Sequence, residues 1–548
     1  MKGSNSNDYD VIIVGAGPNG LCCGAYLAAA GARVAVLEKY VETGGGLVTQ
    51  ELSGFRLNHH AVYMLLAELM PPVSELDLAS RGVAFARPAR QAAFLYEGGH
   101  SITLALDPAE SQRSIEALSL GDGSRFRRMA DEMAQMCERF LVPATYFPPI
   151  PPIEQTELLE NSDELGKRMA AFSEMTPREV IADYGFEDPR VEAAFLYLAC
   201  VFGLDPDEGG LGFLVPIYVH RLLNNSIVRG GSHQLSSALR RGLEEHGGDV
   251  ITGCAARSLL TEGGRVVGVL AADGREFRAR AVVSTLNPEQ TFTGLAAGCE
   301  LPVHFKQVAE QWEWEHTSMF IVNSGIVGEA PRYEGYDKSV DEALMVVMGY
   351  QSPEDVVAHY AAASAGEARA DAGHASVPSL FDPLQSPAHV PLGPVHALRW
   401  ETWAPYDRPW GEEAAGFAES CMQTWQRYAP NLAEANCRVR VHWSPHDIAE
   451  HLATMKRGSI KHGAYSSLQM GFNRPLPECS SNRTPLAGLY VGGASTHPGG
   501  MVIMGPGYNC SRVVAADLGI QLPWEEPEMV AAAKRSGYLS DEAVEEMP

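Results

Sequence analysis

The motif Gly15-Ala-Gly17-Pro-Asn-Gly20 constrains the fold of this chain more than any other feature of its sequence. An apolar run at 11–14 precedes the motif, and an alanine-rich stretch at 21–30, which predicts a helix, follows it. A second apolar run at 33–37 then ends on Glu38. Strand, glycine turn, helix, strand and acid in this order are typical of a dinucleotide site, because the N–H groups at the helix N-terminus attract a diphosphate. The alternative is a glycine-rich turn in an ordinary αβ unit.

Each of these residues has its own part in such a site. Gly15 permits a tight turn, Gly17 lets the backbone approach a pyrophosphate, and Gly20 lets the helix pack closely on the strand. Glu38 stands where an acid accepts hydrogen bonds from a ribose. The first forty residues therefore predict one dinucleotide-binding unit.

Composition narrows the class of protein. The 548 residues suffice for two or three lobes, and the net charge of −26 argues against a nucleic-acid partner. The first ten residues lack a basic segment followed by an apolar core, so we expect a cytoplasmic protein with, at most, peripheral membrane contact. The ten cysteines form no CxxC pair, which argues against a metal site and against a disulfide framework.

The block at 226–290 predicts a helix followed by a small antiparallel meander. Gly230-Gly-Ser-His-Gln-Leu235 precedes an amphipathic stretch that extends to residue 245. Glycine turns at 263–264 and 273–274 separate short apolar runs, as in hairpins. The runs assigned to this meander lie at 249–252, 258–261, 265–270, 276–280 and 282–284.

Three other regions are expected to be peripheral. The proline cluster at 148–152 predicts a turn or an extended connector. Residues 361–375 are rich in small side chains and predict an exposed loop. The acidic segment after Pro523 predicts a loosely attached helix.

Two further glycine-rich segments suggest a long cofactor. Gly44-Gly-Gly46 follows the first strand pair and leads into His59-His60, which we expect beneath a bound ring. Near the C-terminus, the apolar run at 489–491 ends in a glycine turn, and a second glycine cluster introduces a helix at 512–518. Backbone N–H groups at such places can reach a phosphate or an electron-rich ring. Sites at both ends of the chain suit a cofactor that threads through one domain.

With these segments, the chain resembles the phytoene desaturase-like branch of the flavin amine oxidase superfamily. The matching pieces are 15–20 with Glu38, 44–46, 230–235 with its helix and meander, and 484–490 running into His497-Pro-Gly-Gly500. Within that branch the chain looks closest to the pyridine nucleotide-disulfide oxidoreductase domain-containing protein 2 group, through 404–406, 461–463 and 474–477. The implied fold class is α/β, with a Rossmann-like FAD-binding domain of the flavin amine oxidase/phytoene desaturase type and an α+β substrate-binding domain.

The resemblance also implies a domain organisation. The FAD-binding domain would comprise 8–70, 226–300 with the meander, and 458–522. The substrate or cap domain would comprise 71–225 and 301–457, and 523–548 would form an acidic tail.

Non-covalent FAD in an extended pose follows from the same resemblance, with covalent attachment through Cys510 as a minor alternative. The expected pyrophosphate contacts are Gly15, Gly17, Asn19 and Gly20, with Glu38 at the adenosine ribose and the Ala256 backbone at the adenine. Gly493, Gly500, Met501 and Asn509 would lie near the flavin and the ribityl chain. Further cofactor-binding residues expected on these segments are Pro18, Lys39, Gly45, Gly46, Leu47, His60, Ser284 and Gly507.

One departure from the family pattern affects the diphosphate. Many relatives carry an arginine after the second glycine pair, where this chain has Gly46-Leu47. Charge neutralisation there must come from backbone dipoles, or it is weaker. Only one dinucleotide fingerprint is present, and Glu38 would repel the 2′-phosphate of NADP, so a nicotinamide reductant is disfavoured. Electrons would then leave to oxygen, a quinone or another carrier.

The acid–base residues are marked less clearly by the sequence. His497 lies in the flavin-proximal motif and could act as a base or a flavin contact, or could merely cap the strand turn. His462 and Tyr465 precede the flavin strand and are further catalytic candidates. The aromatic set that predicts either an apolar substrate pocket or core packing is Trp400, Trp403, Tyr406 and Trp410.

The implied activity is FAD-dependent dehydrogenation or desaturation of a C–C bond in an apolar isoprenoid or alicyclic compound, by hydride transfer to flavin N5. A smaller substrate, such as a monocyclic terpene or a cyclohexane derivative, is favoured because no strongly amphipathic basic helix for membrane contact is visible. Amine oxidation, redox-neutral isomerisation of the carotenoid type and a flavin-stabilised interaction protein are the alternatives. The expected partners are this substrate, the electron acceptor and, in a homo- or hetero-oligomer, further protein chains.

Overall fold

The computed structural model describes residues 8–388, 393–433 and 435–541. Numbered along the chain, the strands are β1 Asp8–Val14, β2 Val34–Leu37, β3 Thr49–Leu52, β4 Phe55–Asn58, β5 Tyr63–Leu65, β6 Phe85–Ala86, β7 Arg90–Leu95, β8 Ser101–Ala105, β9 Asn225–Val228, β10 Asp249–Ile251, β11 Ala256–Glu262, β12 Arg265–Ala271, β13 Glu276–Ser284, β14 Thr317–Val327, β15 Ala343–Met348, β16 Gly373–Ser376, β17 Val395–Pro405, β18 Asn436–Trp443 and β19 Leu489–Val491. The α-helices are α1 Pro18–Ala29, α2 Pro71–Glu75, α3 Pro108–Glu116, α4 Leu120–Met136, α5 Val142–Thr145, α6 Pro152–Glu160, α7 Glu164–Phe172, α8 Pro177–Ala182, α9 Pro189–Cys200, α10 Val215–Leu222, α11 His233–Glu245, α12 Val303–Glu310, α13 Pro353–Ser364, α14 Trp410–Tyr428, α15 Pro445–His451, α16 Gly505–Leu518 and α17 Glu528–Arg535.

The first sheet has the Rossmann-like arrangement that the sequence predicts. Its strand order is β10-β2-β1-β13-β12-β11, and β19 also pairs with β13. β1 is parallel to β2 and to β13, and β19 continues this parallel set. Residues 11–14 and 34–37 are all buried, as in parallel strands covered on both faces. On one face α1 packs against α11 and α16, so the three segments that are predicted to bind FAD share one core.

The predicted meander is confirmed for three strands and wrong at its start. β11, β12 and β13 are antiparallel neighbours. β10 pairs instead in parallel with β2, because α11 packs beside α1 and delivers the next strand in the same direction. The two runs expected at 276–280 and 282–284 form the single strand β13, whose second half leaves the meander to lie between β1 and β19.

The second sheet has the order β18-β14-β17-β16-β15-β7-β8, and its neighbours are antiparallel except for β15 with β7. All 11 residues of β14 are buried, and successive residues face opposite cores. Phe320 packs in the core that α14 covers, whereas Met319 and Ile321 face the main core shared with the first sheet. The two sheets draw their strands from the segments that the sequence assigns to the two domains, and the domain boundaries themselves stay predictions.

Two regions expected to be peripheral are integrated into the fold. The exposed loop expected at 361–375 is confined to 365–371, because residues 361–364 complete α13 and Gly373–Ser376 is the buried strand β16. Small side chains there allow close packing, since a Cβ atom on Gly373 would come within 3.0 Å of Trp400. The C-terminal helix α17 is docked through buried Val530 and Ala533, and residues 542–548 of the predicted tail lie outside the described residues. No helix in the described ranges is both long and apolar enough to cross a membrane.

Candidate functional site

A tight turn joins β1 to α1 at the centre of the first sheet. Gly15 has a φ of +104°, which favours glycine, and a Cβ atom there would overlap the Thr285 side chain. A Cβ atom on Gly20 would overlap the carbonyl oxygen of Gly15. At Gly17, by contrast, a Cβ atom would meet no heavy atom within 4 Å. Packing therefore requires Gly15 and Gly20, whereas Gly17 leaves open space where a ligand can approach the backbone.

The N-terminus of α1 fits an anion. Its N-cap is Gly17, without a side-chain cap hydrogen bond and without an acidic residue in the first turn. Pro18 has no N–H, so the amides of Asn19 and Gly20 and the positive end of the helix dipole are directed to this space. The Asn19 Oδ1 atom is buried and makes no hydrogen bond within the described chain. These amides and the helix dipole match the diphosphate of FAD, and the Asn19 oxygen can accept a hydrogen bond from a hydroxyl group of the same molecule.

A cavity of about 1660 Å³ begins at this turn and extends to the second sheet. We call the part lined by Gly17, Glu38 and Arg240 the glycine end, and the part lined by Tyr63, Phe202, Met319, Ile321 and Glu401 the apolar end. The volume exceeds the roughly 300–1,000 Å³ of an ordinary small-molecule pocket, which suits a long cofactor together with a substrate. The predicted cofactor-binding residues that line the cavity are Gly15, Gly17, Pro18, Asn19, Gly20, Glu38, Lys39, Gly45, Gly46, Leu47, His60, Ala256, Gly500 and Met501.

Four predicted cofactor-binding residues lie beside the cavity rather than on its wall. The Ser284 hydroxyl is 2.8 Å from the Thr291 hydroxyl, and the Asn509 side chain donates to the Thr145 carbonyl at 3.2 Å. Gly493 packs against the backbone of Thr285, and Gly507 packs against the backbone of Asn19. Neighbouring residues that do line the cavity, and that sequence reasoning missed, are Thr285, Ala494 and Val502.

Glu38 organises the glycine end. Its carboxylate accepts hydrogen bonds from the backbone amides of Ala16 at 2.8 Å and Tyr40 at 3.0 Å. The side chain is buried yet reaches the cavity wall, as a ribose contact would require, and that role stays a prediction. No arginine follows Gly46, but Arg240 and Arg241 of α11 line the same cavity, a contribution the sequence hinted at only through the polar face of that helix.

The apolar end is not built from the predicted aromatic set. Trp400, Trp403 and Trp410 are buried in the cores on either side of the second sheet, and Tyr406 packs against His446. None of the four lines the cavity, so the pocket hypothesis is wrong for these residues, and the core alternative holds for the three tryptophans but not for half-buried Tyr406. The wall comes from the apolar-end residues together with Ile460, which belong to strands and turns far apart in the sequence.

Three neutral histidines, each with its pKa lowered to about 4 by burial, line the cavity in the described chain: His59, whose Nε2 lies 2.8 Å from the Gln50 side chain, and the two candidate bases His60 and His462. Both ring nitrogens of His60 are buried without a hydrogen-bond partner in the described chain, and burial together with the nearby Arg399 charge lowers the pKa of His60 to about 4. His462 Nε2 lies 3.1 Å from the Thr454 hydroxyl, and its Nδ1 is buried without a partner among the described residues. Burial and the Arg474 charge likewise lower the pKa of His462 to about 4. At neutral pH the imidazoles of both candidate bases are uncharged and can accept a proton or a hydrogen bond.

The other two predicted catalytic residues, His497 and Tyr465, make hydrogen bonds with backbone groups. His497 Nε2 is 2.7 Å from the Ala144 carbonyl, burial lowers the pKa of His497 to about 4, and the residue does not line the cavity. The Tyr465 hydroxyl accepts a hydrogen bond from the Gly500 amide at 2.9 Å. Its place favours a role in fixing the glycine turn that reaches the cavity; the catalytic role of each of these two residues stays a prediction.

Three buried cations hold the walls of the apolar end through main-chain carbonyls. Arg399 donates to the carbonyls of Asn58 and His60, the latter at 2.8 Å. Lys461 pairs with Glu315 at 3.2 Å and donates to the Gly203 carbonyl at 2.9 Å, next to Phe202. Arg474 donates to the carbonyls of Lys461, Ala464, Gln469 and Ala494. The contacts of Arg399 and Lys461 join segments that are more than 200 residues apart in the sequence.

The relatives of this chain agree with the geometry. Residues 19–291 match the model of the flavin containing amine oxidoreductase family. A limonene dehydrogenase subunit from Castellaniella defragrans is 40% identical over 550 residues, which cover 98% of this chain and 100% of that protein. The chain belongs to the flavin-containing amine oxidoreductase family. It is therefore a flavin-dependent oxidoreductase with FAD as its cofactor, and the open space at Gly17 and the unpartnered Asn19 and His60 atoms fit that molecule.

Two further proteins resemble this chain at lower sequence identity. Pyridine nucleotide-disulfide oxidoreductase domain-containing protein 2 of Rattus norvegicus is 27% identical, with 93% of this chain and 94% of that protein covered. The structure of cyclohexylamine oxidase from Brevibacterium oxydans superposes with a TM-score of 0.58 at 14% identity, covering 93% of this chain and 100% of that one. This last likeness shows the fold alone.

Proposed function

We propose that the protein is an FAD-dependent dehydrogenase that introduces a double bond into an apolar isoprenoid or alicyclic substrate. The observation that carries this proposal is the apolar end, where Tyr63, Phe202, Met319, Ile321 and Ile460 meet two uncharged imidazoles. Such a wall excludes water and suits a hydrocarbon ring. The whole-length likeness to a limonene dehydrogenase chain supports a monocyclic terpene as the substrate class.

The glycine end would hold FAD without a covalent bond. The amides of Asn19 and Gly20 would bind the diphosphate, and Glu38 the ribose, so that Gly500 and Met501 would lie along the flavin. Cys510 is buried away from the cavity wall, which supports non-covalent binding. When bound, FAD supplies the two-electron acceptor for a hydride.

The chain's own residues would handle the proton. His60 and His462 line the cavity and have buried ring nitrogens without a partner in the described chain, and either imidazole would accept a proton from the substrate. A carbon next to one that has lost a hydride is strongly acidic, so an imidazole with a pKa of about 4 is a sufficient base. Neutral imidazoles also avoid placing a fixed charge against an apolar ring.

The electrons would pass to oxygen, a quinone or another carrier, because the chain has a single dinucleotide fingerprint. The limonene dehydrogenase relative is one component of a multi-chain enzyme, which supports a hetero-oligomer for this protein as well.

Anaerobic titration of the FAD-loaded protein tests the proposal. Limonene, other monocyclic monoterpenes and cyclohexylamine would be added separately while the flavin absorbance is recorded. We expect bleaching by a monoterpene and a product with two fewer hydrogen atoms. Bleaching by the amine alone, with peroxide formed on readmission of air, would make the protein an amine oxidase. An isomerised product of unchanged mass, without bleaching, would make it an isomerase.

A further inference from the structure

A carboxylate lies on the wall of the apolar end, where the remaining lining is apolar or uncharged. Glu401 of β17 is 5% exposed and lines the cavity next to His60 and Tyr63. A buried carboxylate facing a hydrocarbon site is costly unless it is compensated, and proteins rarely place one there without a use. The proposed function so far gives this group no part.

Two partners behind Glu401 keep it ionised. Arg399 donates to Oε1 through Nε at 2.9 Å and also through Nη2, and His374 Nε2 lies 2.6 Å from Oε2. Burial alone would raise the pKa of Glu401, but the Arg399 charge and the hydrogen bonds from both partners lower it to about 2. The carboxylate is therefore an anion at any pH at which the protein would work.

Tyr197 supports the His374 ring. Its hydroxyl is 2.8 Å from His374 Nδ1, and burial raises the pKa of Tyr197 well above its ordinary value. An ionised carboxylate can only accept, so His374 Nε2 carries a proton and donates to Glu401 while the Tyr197 hydroxyl holds the ring at Nδ1. The chain Tyr197–His374–Glu401 thus holds the carboxylate in one orientation.

The Glu401–Arg399 ion pair is oriented with its negative member at the cavity wall. Glu401 lines the cavity, whereas Arg399 lies behind it and turns its other donors to the carbonyls of Asn58 and His60. The negative end of a fixed dipole consequently faces the substrate space. In a water-poor cavity such a dipole acts more strongly than in solution.

We propose that Glu401 is a catalytic residue whose carboxylate stabilises the positive charge that develops on the substrate carbon as its hydride departs. Arg399, His374 and Tyr197 are positioning residues for this carboxylate. The inference rests on the proposed function, because only hydride loss from a hydrocarbon leaves an electron-deficient carbon with no heteroatom to share the charge.

Electrons and atoms balance over two bond cleavages. The first C–H bond breaks and both of its electrons leave with the hydrogen as hydride to the oxidised flavin. The C–H bond on the adjacent carbon then breaks in the opposite sense: its proton goes to the imidazole of His60 or His462, and its electron pair becomes the new π bond. The substrate loses two hydrogens and two electrons, and the flavin gains the two electrons. Glu401 forms no bond in either step.

A pair of isosteric probes tests the charge stabilisation without turnover. N,N-dimethylpiperidinium is a permanent cation of the same shape as neutral 1,1-dimethylcyclohexane, and the binding of each to the FAD-loaded protein can be followed through the flavin spectrum. We expect Glu401→Gln to weaken the binding of the cation roughly tenfold and to leave the neutral ring within about a factor of two. Asp122→Asn is the matched control, since Asp122 is also buried beside a cation, Arg125, but does not line the cavity, and should retain the preference for the cation. Equal effects of Glu401→Gln on both probes would overturn the proposal.

A second arm uses the monoterpene that bleaches the wild-type flavin. Glu401→Gln should slow that anaerobic bleaching roughly 100-fold, while reduction by dithionite stays unchanged. Bleaching at the wild-type rate would overturn the role of Glu401. If no monoterpene bleaches the wild-type protein, the proposed function fails, and the probe pair still decides on Glu401. Should Glu401→Gln not yield FAD-loaded protein, Glu401→Asp decides instead: it withdraws the charge by one methylene and should weaken the cation about threefold with the neutral ring unchanged, and equal binding of the cation would overturn the proposal.

Discussion

The two ends of the cavity are built in different ways. The glycine end is formed by backbone atoms of the turn from Gly15 to Gly20. Glu38 stabilises it by accepting hydrogen bonds from two backbone amides that are at most 22 residues away in the sequence. The apolar end is made by side chains from β5, β14 and β17 and from the turns at Phe202 and Ile460, segments hundreds of residues apart. One end is local in the sequence and the other is assembled only by the fold.

The difference extends to what holds each end in place. The glycine end requires residues without a side chain, because a Cβ atom at Gly15 or Gly20 would overlap its neighbours. At the apolar end, buried Arg399, Lys461 and Arg474 satisfy their charges with carboxylates or main-chain carbonyls and thereby tie the segments together. Substitutions should therefore act through steric overlap at the glycine end and through unpaired charges at the apolar end.

The largest effect is expected for Gly20→Ala. Its Cβ atom would overlap the Gly15 carbonyl, so the helix must move away from the strand and the FAD-loaded protein should not form. The measurement is the ratio of flavin to protein absorbance after purification. Gly298→Ala is the control, because a Cβ atom there meets nothing within 4 Å and the residue lies away from the cavity. Normal FAD content in Gly20→Ala would contradict the packing described for the turn.

Arg399→Met should be next in size. It leaves Glu401 buried without its cation, and such a loss costs about 3–5 kcal/mol of the free energy of unfolding. Chemical denaturation of the variant measures this cost. The double variant Arg399→Met, Glu401→Leu should recover most of the loss, since it removes both charges. A single variant within about 1 kcal/mol of wild type would show that the ion pair does not hold this end together.

Gly17→Ala separates binding from folding at the glycine end. The added methyl group meets no protein atom, so the melting temperature of the apoprotein should stay unchanged. It occupies the space of the diphosphate, however, and FAD affinity should fall about 100-fold, or about 2.7 kcal/mol. Titration of the apoprotein with FAD gives the affinity. Unchanged affinity would place the diphosphate elsewhere.

The buried histidines make stability depend on pH. The unfolded chain binds a proton at His462 near pH 6.5, whereas the folded protein binds it only near the lowered pKa of about 4. The contribution of the neutral His462 to the free energy of unfolding is therefore complete above pH 6.5 and is lost as the pH falls towards 4. Between pH 7 and pH 5 this single group accounts for about 2 kcal/mol. The free energy of unfolding of His462→Asn should therefore fall less steeply over that interval. Parallel curves for variant and wild type would contradict the neutral, buried state of His462.

The smallest effect is expected for His497→Gln. The glutamine amide can donate to the Ala144 carbonyl from about the position of Nε2, and the residue does not line the cavity, so the rate of substrate oxidation should change less than about threefold. His462→Asn, measured beside it, should lower the rate more, because it removes an imidazole that lines the cavity. The opposite order would restore His497 as the base that its place in the sequence suggests.

Much of the glycine end could be predicted from sequence because its residues act through their own backbone. Gly15, Gly17, Gly20 and Glu38 were expected at a dinucleotide site from spacing alone, and all four line the cavity. The sequence wrongly predicts β10 as part of the meander, because a short apolar run does not indicate which strand it will pair with.

The apolar end could not be predicted in the same way. Glu401 is the one acid in β17, a strand of mixed polar and apolar residues, and only the register of β17 against β14 and β16 directs it to the cavity while Trp400 turns to the opposite core. Arg399 contacts carbonyls more than 300 positions away. His462 was expected at the site from its place before the flavin strand, but its unpartnered nitrogen emerges only from the fold.

The structure of the protein crystallised with FAD tests the two-ended cavity most directly. We predict the diphosphate within hydrogen-bond distance of the Asn19 and Gly20 amides, and the flavin ring against His60 and Gly500, with the space between the ring and Glu401 left free for a substrate. A flavin ring that fills the apolar end and touches Glu401, or that lies outside the cavity, would contradict this division.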